Sequence, residues 1–278
     1  DGPEYETVAV FGPLLGNNDI KSIVEWNHLV NSLGLDSIST GVIISAVIYF
    51  REIGLLNDNY DINSIDQVIR DIAHRRGIGD ELANGLERFA ASHGIERDLV
   101  ATVKGLEIPA HDPRAFKLQA LTDATSTRGA CHLQGEMYAV DIGASQENIG
   151  IKAGDRWDVD SDERVISLIK AQDYRQVQNS AIVCTYGYPP ADDLLRAINL
   201  ATGFNFTLEE MMKIGSRIID LKKEINEKLG WRKDMDWVPA IVRRRVGDEP
   251  LNTAISDDEL RKLLDRYYKL RGWQFSST

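Results

Sequence analysis

The chain has 278 residues, 43 of them acidic and 32 basic, with a formal net charge of -11 and 43% hydrophobic residues. That length suffices for one large domain or two medium ones with their own cores, and the negative balance gives nucleic acid or an anionic membrane little electrostatic support. Only two cysteines occur, Cys131 and Cys184, which excludes a disulfide framework and suits a reducing cytoplasm.

Apolar residues recur at helical spacing almost throughout, and alternating runs are scarce. The predicted fold is therefore mainly α: two packed helical lobes with little or no sheet. The opening Asp1-Gly2-Pro3 has neither the basic nor the apolar region of a signal peptide. Ile20, Ile23, Val24 and Val30 stripe a first helix that stops near Gly34. Residues 37–53 form a second, apolar nearly all round and so central, closed by Gly54. Its apolar run 40–50 is too short to cross a bilayer. Ser64 and Gln67 make a capping box ahead of Ile65, Val68, Ile69 and Ile72, in a third helix ending near Gly77. Residues 80–93 make a fourth, stopped by Gly94. Residues 99–108, interrupted at Gly105, are the best strand candidate, and Pro109 to Pro113 reads as a turn. The lobes divide there, into 1–110 and 111–278.

Beyond it, Asp112 as N-cap and Pro113 as first helical residue start a helix with Phe116, Leu118 and Leu121 on its apolar side. Residues 126–150 lack periodicity and are rich in Gly, Thr, Ser and His, as in a mobile loop or the lining of a site. Helices follow over 161–178, 190–202, 207–229 and 256–270. The last two open on capping boxes, Thr207 with Glu210 and Ser256 with Glu259, and the final one closes at Gly272.

Four features could carry chemistry, and each has an ordinary structural reading. Glu4 and Glu6 flank Tyr5, as surface acids or as paired catalytic carboxylates. Glu25 and His28 share one helix face, as a polar surface pair or as metal ligands. His132, in Arg128-Gly129-Ala130-Cys131-His132, stands in an irregular stretch suited to proton transfer, or is structural. Cys184 closes Asn179-Ser180-Ala181-Ile182-Val183-Cys184, as a packed core thiol or as a ligand. No Cys-x-x-Cys pair, phosphate-binding glycine loop or nucleophile elbow occurs, so a self-contained zinc or iron–sulfur site is excluded.

Taken in order, several segments resemble aldehyde:ferredoxin oxidoreductases. They are Gly2-Pro3-Glu4-Tyr5-Glu6-Thr7, Gly34-Leu35-Asp36-Ser37-Ile38-Ser39-Thr40-Gly41 and Arg76-Gly77-Ile78-Gly79-Asp80, then Val103-Lys104-Gly105-Leu106-Glu107-Ile108-Pro109-Ala110, Asp112-Pro113-Arg114 and Arg128-Gly129-Ala130-Cys131-His132-Leu133. The resemblance, to the C-terminal part of the family, implies tungsten held between two molybdopterin-type cofactors beside a [4Fe-4S] cluster. It implies aldehyde oxidation to acids, ferredoxin as acceptor, and an interface at which two copies can share an iron in a homodimer, while the charge balance and the short apolar run lead us to expect no nucleic-acid or membrane partner.

The family's two pterin-binding segments map onto Asn31-Ser32-Leu33-Gly34-Leu35-Asp36, followed by Ser37, and onto Asn179 through Val183 to Cys184. Cys184 takes the role of a cluster ligand. Asn31 and Asn179 replace the usual aspartates, and Ile182 replaces a glycine. Glu4 or Glu6 matches the active-site acid, His132 the catalytic histidine, and His111 a position that is Tyr in some members. Glu25 and His28 match ligands of a mononuclear iron at the subunit interface, with His74 a further candidate. One thiolate cannot hold a four-iron cluster, so the chain as given is expected to be free of tungsten, pterin and cluster, and inactive. The substitutions also fit a non-catalytic helical scaffold descended from the family; a second alternative is a member that keeps the redox centre and acts on aromatic thioesters.

Overall fold

Short polar residues just ahead of the helix set where half of these helices begin, as at Asp19, Asp36, Ser64, Ser161, Thr207 and Ser256. The computed structural model describes residues 2–247 and 254–273. In chain order the elements are α1 (Tyr5–Phe11), α2 (Ile20–Ser32), α3 (Ser37–Glu52), α4 (Ile65–His74), α5 (Ile78–Leu82), α6 (Leu86–Ser92), β1 (Thr102–Val103) and β2 (Leu106–Glu107). There follow α7 (Lys117–Thr125), α8 (Met137–Asp141), α9 (Asp162–Ser180), α10 (Ala191–Thr202), α11 (Leu208–Lys228) and α12 (Asp257–Arg271). The two strands form one antiparallel hairpin, so the fold is mainly helical with little sheet. Among the described residues no single helix is long and apolar enough to cross a membrane.

The described chain divides into two compact units. The first holds Asp1–Ala110 with Arg128–Ala130 and Trp237–Val242; the second holds His111–Thr127, Cys131–Asp236 and Arg243–Thr278.

In the first unit, Val10, Phe11, Val30, Ile44, Phe50, Ile69, Leu86 and Phe89 build an apolar core. Helix α1 lies so close to α3 that a side chain at Gly41 would meet Val10 Cβ at 2.5 Å. A buried polar chain ties the unit together. Ser39 donates to Glu107 at 2.8 Å, and the other Glu107 oxygen accepts the Leu86 N–H at 2.8 Å. That second bond caps α6 after Gly85, whose φ of 91° breaks the single helix expected over 80–93 into α5 and α6. The run 99–108 folds back at Lys104 and Gly105, both at positive φ, the backbone a two-residue hairpin turn requires. At α4, Ser64 accepts the Gln67 N–H as expected, but the Gln67 side chain binds Asp71 at 2.9 Å instead of completing the capping box.

The second unit is built around α9. This helix is buried over most of its length although Arg164, Gln172, Asp173, Arg175, Gln176 and Gln178 are among its buried residues. Buried polar groups need partners, and several of these find them on neighbouring segments. Gln172 donates to Thr125 at 3.0 Å and accepts from Tyr267 at 2.6 Å; Gln176 donates to Gln134 at 3.0 Å; Asp173 pairs with Arg271. Helix α11 packs directly on it, since a Cβ at Gly215 would sit 2.1 Å from the Asp173 carbonyl oxygen. Helix α7 starts at Lys117, later than expected. Asp112 instead closes a tight turn by accepting the Arg114 N–H at 2.8 Å and its guanidinium at 2.9 Å.

Both predicted capping boxes, at α11 and α12, are complete. At α12, burial pushes the Glu259 carboxyl up, but the Ser256 N–H and hydroxyl and the Lys117 ammonium outweigh it and hold the group below the usual range. A depressed carboxylate stabilises the fold above its unfolded pKa, and that contribution is lost as pH falls through the folded value. Urea unfolding of Glu259→Gln should therefore show a loss of about 1 kcal/mol at pH 7, shrinking toward zero under acid as the native chain loses the same bonds.

Candidate functional site

The residues that follow α2 and those that follow α9 share one backbone trace. In both, the helix ends in a Schellman turn. The N–H five residues on reaches back across the last turn, Leu35 to Val30 at 2.9 Å and Val183 to Gln178 at 3.0 Å. Gly34 and Ile182 donate to Asn31 and Asn179 at 3.2 Å in each case. The cap residues Leu33 and Ala181 have φ, ψ of -90°, -2° and -81°, -3°. Gly34 and Ile182 are left-handed at φ 70° and 56°. Asp36 and Cys184 then turn extended at -71°, 122° and -63°, 132°.

Side-chain placement repeats as well. Asn31 and Asn179 are exposed, Leu35 and Val183 half-buried, and Asp36 and Cys184 exposed. The copies diverge most at their ends. Asp36 caps α3 by accepting the Ser39 N–H at 2.7 Å, and Ser37 binds Thr7 at 3.0 Å. Cys184 opens one 3-10 turn, Thr185–Gly187, without a side-chain capping bond. The core-thiol reading of Cys184 is thereby overturned, because the helix has already ended and the chain has turned outward. Cys131, in contrast, is buried.

In the first unit, Glu4 is exposed at the start of α1, whereas Glu6 is only 3% exposed and accepts the Ala110 N–H at 2.7 Å. The surface-acid reading therefore fails for Glu6, which faces inward from the first turn of α1. Glu25, His28 and His74 are all exposed on α2 and α4. Glu25 lies 3.9 Å from Lys21, and His28 Nε2 is 3.4 Å from the Ser32 hydroxyl.

In the second unit, His132 is 9% exposed and stacks on His111, with ring centroids 4.6 Å apart and planes inclined by 12°. His111 in turn packs on Tyr138 of α8 at 3.8 Å. The stretch 126–150 thus carries short helices and is largely buried from Gly129 to Val140. Sequence reasoning did not single out Tyr138, Glu136 or Arg175. Glu136 sits four residues after His132, and its carboxylate is buried against the Arg175 guanidinium of α9. A lone acid inside an aperiodic stretch and an arginine among the glutamines of a helix give no periodic signal. The one usable cue was that α9 carries unusual polarity on its buried face.

Residues 1–277 match the family described as "Aldehyde ferredoxin oxidoreductase, domains 2 & 3". The chain belongs to the aldehyde ferredoxin oxidoreductase family. It is 37% identical to a tungsten-containing aldehyde ferredoxin oxidoreductase of Pyrococcus furiosus, over 98% of this chain and 46% of that protein. A namesake from Thermococcus kodakarensis is 35% identical over the same shares, 98% and 46%. An aliphatic sulfonate oxidoreductase, WOR-like subunit, of P. furiosus is 25% identical over 98% and 43%. The chain therefore spans about half the length of the curated relatives it matches. Its fold is shared with the active-site complex BamBC of benzoyl coenzyme A reductase bound to 1,5-dienoyl-CoA. There the TM-score is 0.71 at 17% identity, covering 98% of this chain and 46% of that one.

Ile182 is the strained member of the two exits. A β-branched residue in the left-handed region is held at a cost of roughly 1–2 kcal/mol, and with 92% exposure its side chain gains little packing in return. Ile182→Gly is expected to raise unfolding stability by about 1 kcal/mol, read as a higher urea midpoint at unchanged slope.

Proposed function

We propose that this chain forms the helical part of a tungsten-dependent oxidoreductase that converts aldehydes to carboxylic acids and passes the electrons to ferredoxin. The observation that carries the reading is the repeated helix exit, which presents Asn31 to Asp36 and Asn179 to Cys184 on one backbone design, the second ending in an exposed thiol. These residues fit the cofactors of the family. An iron–sulfur cluster needs accessible thiolate, and Cys184 is exposed, unlike Cys131. Asn31 and Asn179 each offer an amide that can donate and accept, without charge, beside a turn that projects into solvent.

When bound, the tungsten–pterin centre supplies a two-electron acceptor and the [4Fe-4S] cluster a one-electron relay. Oxidising an aldehyde with water to an acid releases two protons with the two electrons, so the chain must accept protons near neutral pH. His132 takes that role, its ring held by stacking on His111, which serves as a second imidazole for onward transfer. Glu6 takes the role of the active-site acid in preference to Glu4. Its burial and its bond from Ala110 fix the carboxylate, whereas Glu4 is exposed. Asn31, Leu35, Asp36 and Ser37 would hold one pterin, and Asn179, Val183 and the Cys184 backbone the other, with the Cys184 thiol a ligand of the cluster. Glu25 and His28, exposed on α2, are the ligands proposed for an iron shared by two copies, with His74 as an alternative donor.

Two substitutions in the intact protein test this. Cys184→Ser should lower cluster iron per polypeptide and weaken the cluster's electron paramagnetic signal. His132→Gln should keep tungsten and iron at native levels while aldehyde-dependent reduction of a viologen dye falls on the order of 100-fold or more. Native iron in the first and native rate in the second would contradict the proposal.

A further inference from the structure

Among the described residues, the non-glycine positions with left-handed φ are Arg75, Lys104, Glu136, Ile182 and Tyr188. Three of these five surround Cys184: Ile182 precedes it, Tyr188 follows it, and Glu136 lies opposite its loop. Left-handed backbone in side-chain-bearing residues is held only where surrounding contacts over-determine it, and here those contacts converge on one carboxylate. Glu136 Oε1 accepts the Thr185 hydroxyl at 3.0 Å, and Glu136 Oε2 accepts the Tyr188 phenol at 3.5 Å. Arg175 of α9 pairs with the same carboxylate, with both side chains less than a tenth exposed. On its backbone side, the Glu136 N–H donates to the His132 carbonyl at 3.2 Å. The far end of the loop is pinned separately, by Tyr174 donating to the Pro189 carbonyl at 2.7 Å and by the Ala191 N–H donating to Gln146 at 2.7 Å.

We infer that Glu136 is a positioning residue. Paired with Arg175, it fixes the 184–188 loop, and so the Cys184 thiol, relative to the His132 turn. The inference rests on the reading of Cys184 as a cluster ligand for its functional meaning, but the mechanical link stands on the hydrogen bonds alone. Each part has its reason. Arg175 comes from the last turns of a helix buried on most sides, so it supplies a rigid cation. Glu136, on a backbone forced left-handed, reaches away from α8 toward the loop. Thr185 and Tyr188 are the two hydroxyl-bearing residues of the loop that donate to it. Burial, and then the Glu136 carboxylate, push the Tyr188 phenol up to about 12, so it remains a donor throughout the neutral range. A hydroxyl shared between a loop and a buried ion pair is directional, and an apolar contact of the same size is not.

The test uses hydrogen exchange with mass spectrometry on the intact, purified protein. Thr185→Val removes one donor while leaving the buried pair untouched, and Thr185→Ser restores the hydroxyl. Glu136→Gln removes the charge and keeps an acceptor. The expected result is amide exchange over 184–188 at least fivefold faster in Thr185→Val and Glu136→Gln, native exchange in Thr185→Ser, and unchanged exchange over 191–202. Loop exchange equal to native in Thr185→Val, or acceleration spread evenly through α9, α10 and α11, overturns the inference. Should Glu136→Gln fail to fold, the Thr185 pair still decides it. Iron per polypeptide in Cys184→Ser reports separately on the ligand reading. Native iron there, together with the accelerated loop in Thr185→Val, upholds the tether while removing the cluster role.

Discussion

The last carbonyls of a helix have no partner inside it, and how α2 and α9 satisfy theirs governs everything that follows them. Both use a Schellman turn, so one residue must turn left-handed and the next two must leave the helix axis at a fixed angle. Asp36 and Cys184 are exposed because of that geometry, independent of their own side-chain preferences. The cost falls unevenly. Gly34 adopts the conformation freely, and Ile182 adopts it under strain, so the second exit depends more heavily on the contacts that brace its loop.

Those contacts come from the polar character of α9. A helix this buried would ordinarily be apolar, and carrying Arg175, Gln172, Asp173 and Gln176 inside exposes the unit to large penalties if any partner is lost. The compensation is directional. These buried polar groups find their partners on other segments: Thr125 on α7, Gln134 and Glu136 after the His132 turn, Tyr267 and Arg271 on α12. Apolar packing could hold these segments together, but it would tolerate sliding. The hydrogen-bonded pair of Glu136 and Arg175 ties the His132 turn and the Cys184 loop to α9 in one register.

Much of this was legible in the sequence, for physical reasons that differ by element. Helices α2, α3, α11 and α12 were readable because caps and glycine stops act through neighbours a few residues away. Thr207 with Glu210 and Ser256 with Glu259 need nothing beyond their own turn. The break at Gly85 was not legible, since it depends on Glu107, a residue 21 positions away that accepts the Leu86 N–H. The late start of α7 follows from Arg114 competing for Asp112. At the site, motif order pointed to the two helix exits and to His132. Periodicity could not separate Glu4 from Glu6, which differ in burial because of where α1 packs. Glu136 and Arg175 escaped notice because a buried ion pair is a property of two distant segments, and neither member stands out alone.

If the twin exits are cofactor-facing surfaces, they should respond together when cofactors are removed. Hydroxyl-radical footprinting of the intact protein, as isolated and after chelator treatment under anaerobic conditions, measures this directly. The account expects residues 31–37 and 179–188 to be protected as isolated and to gain reactivity in parallel after stripping, with α4 unchanged as the internal reference. Equal reactivity of both segments in the two states, or a change confined to one of them, would contradict it.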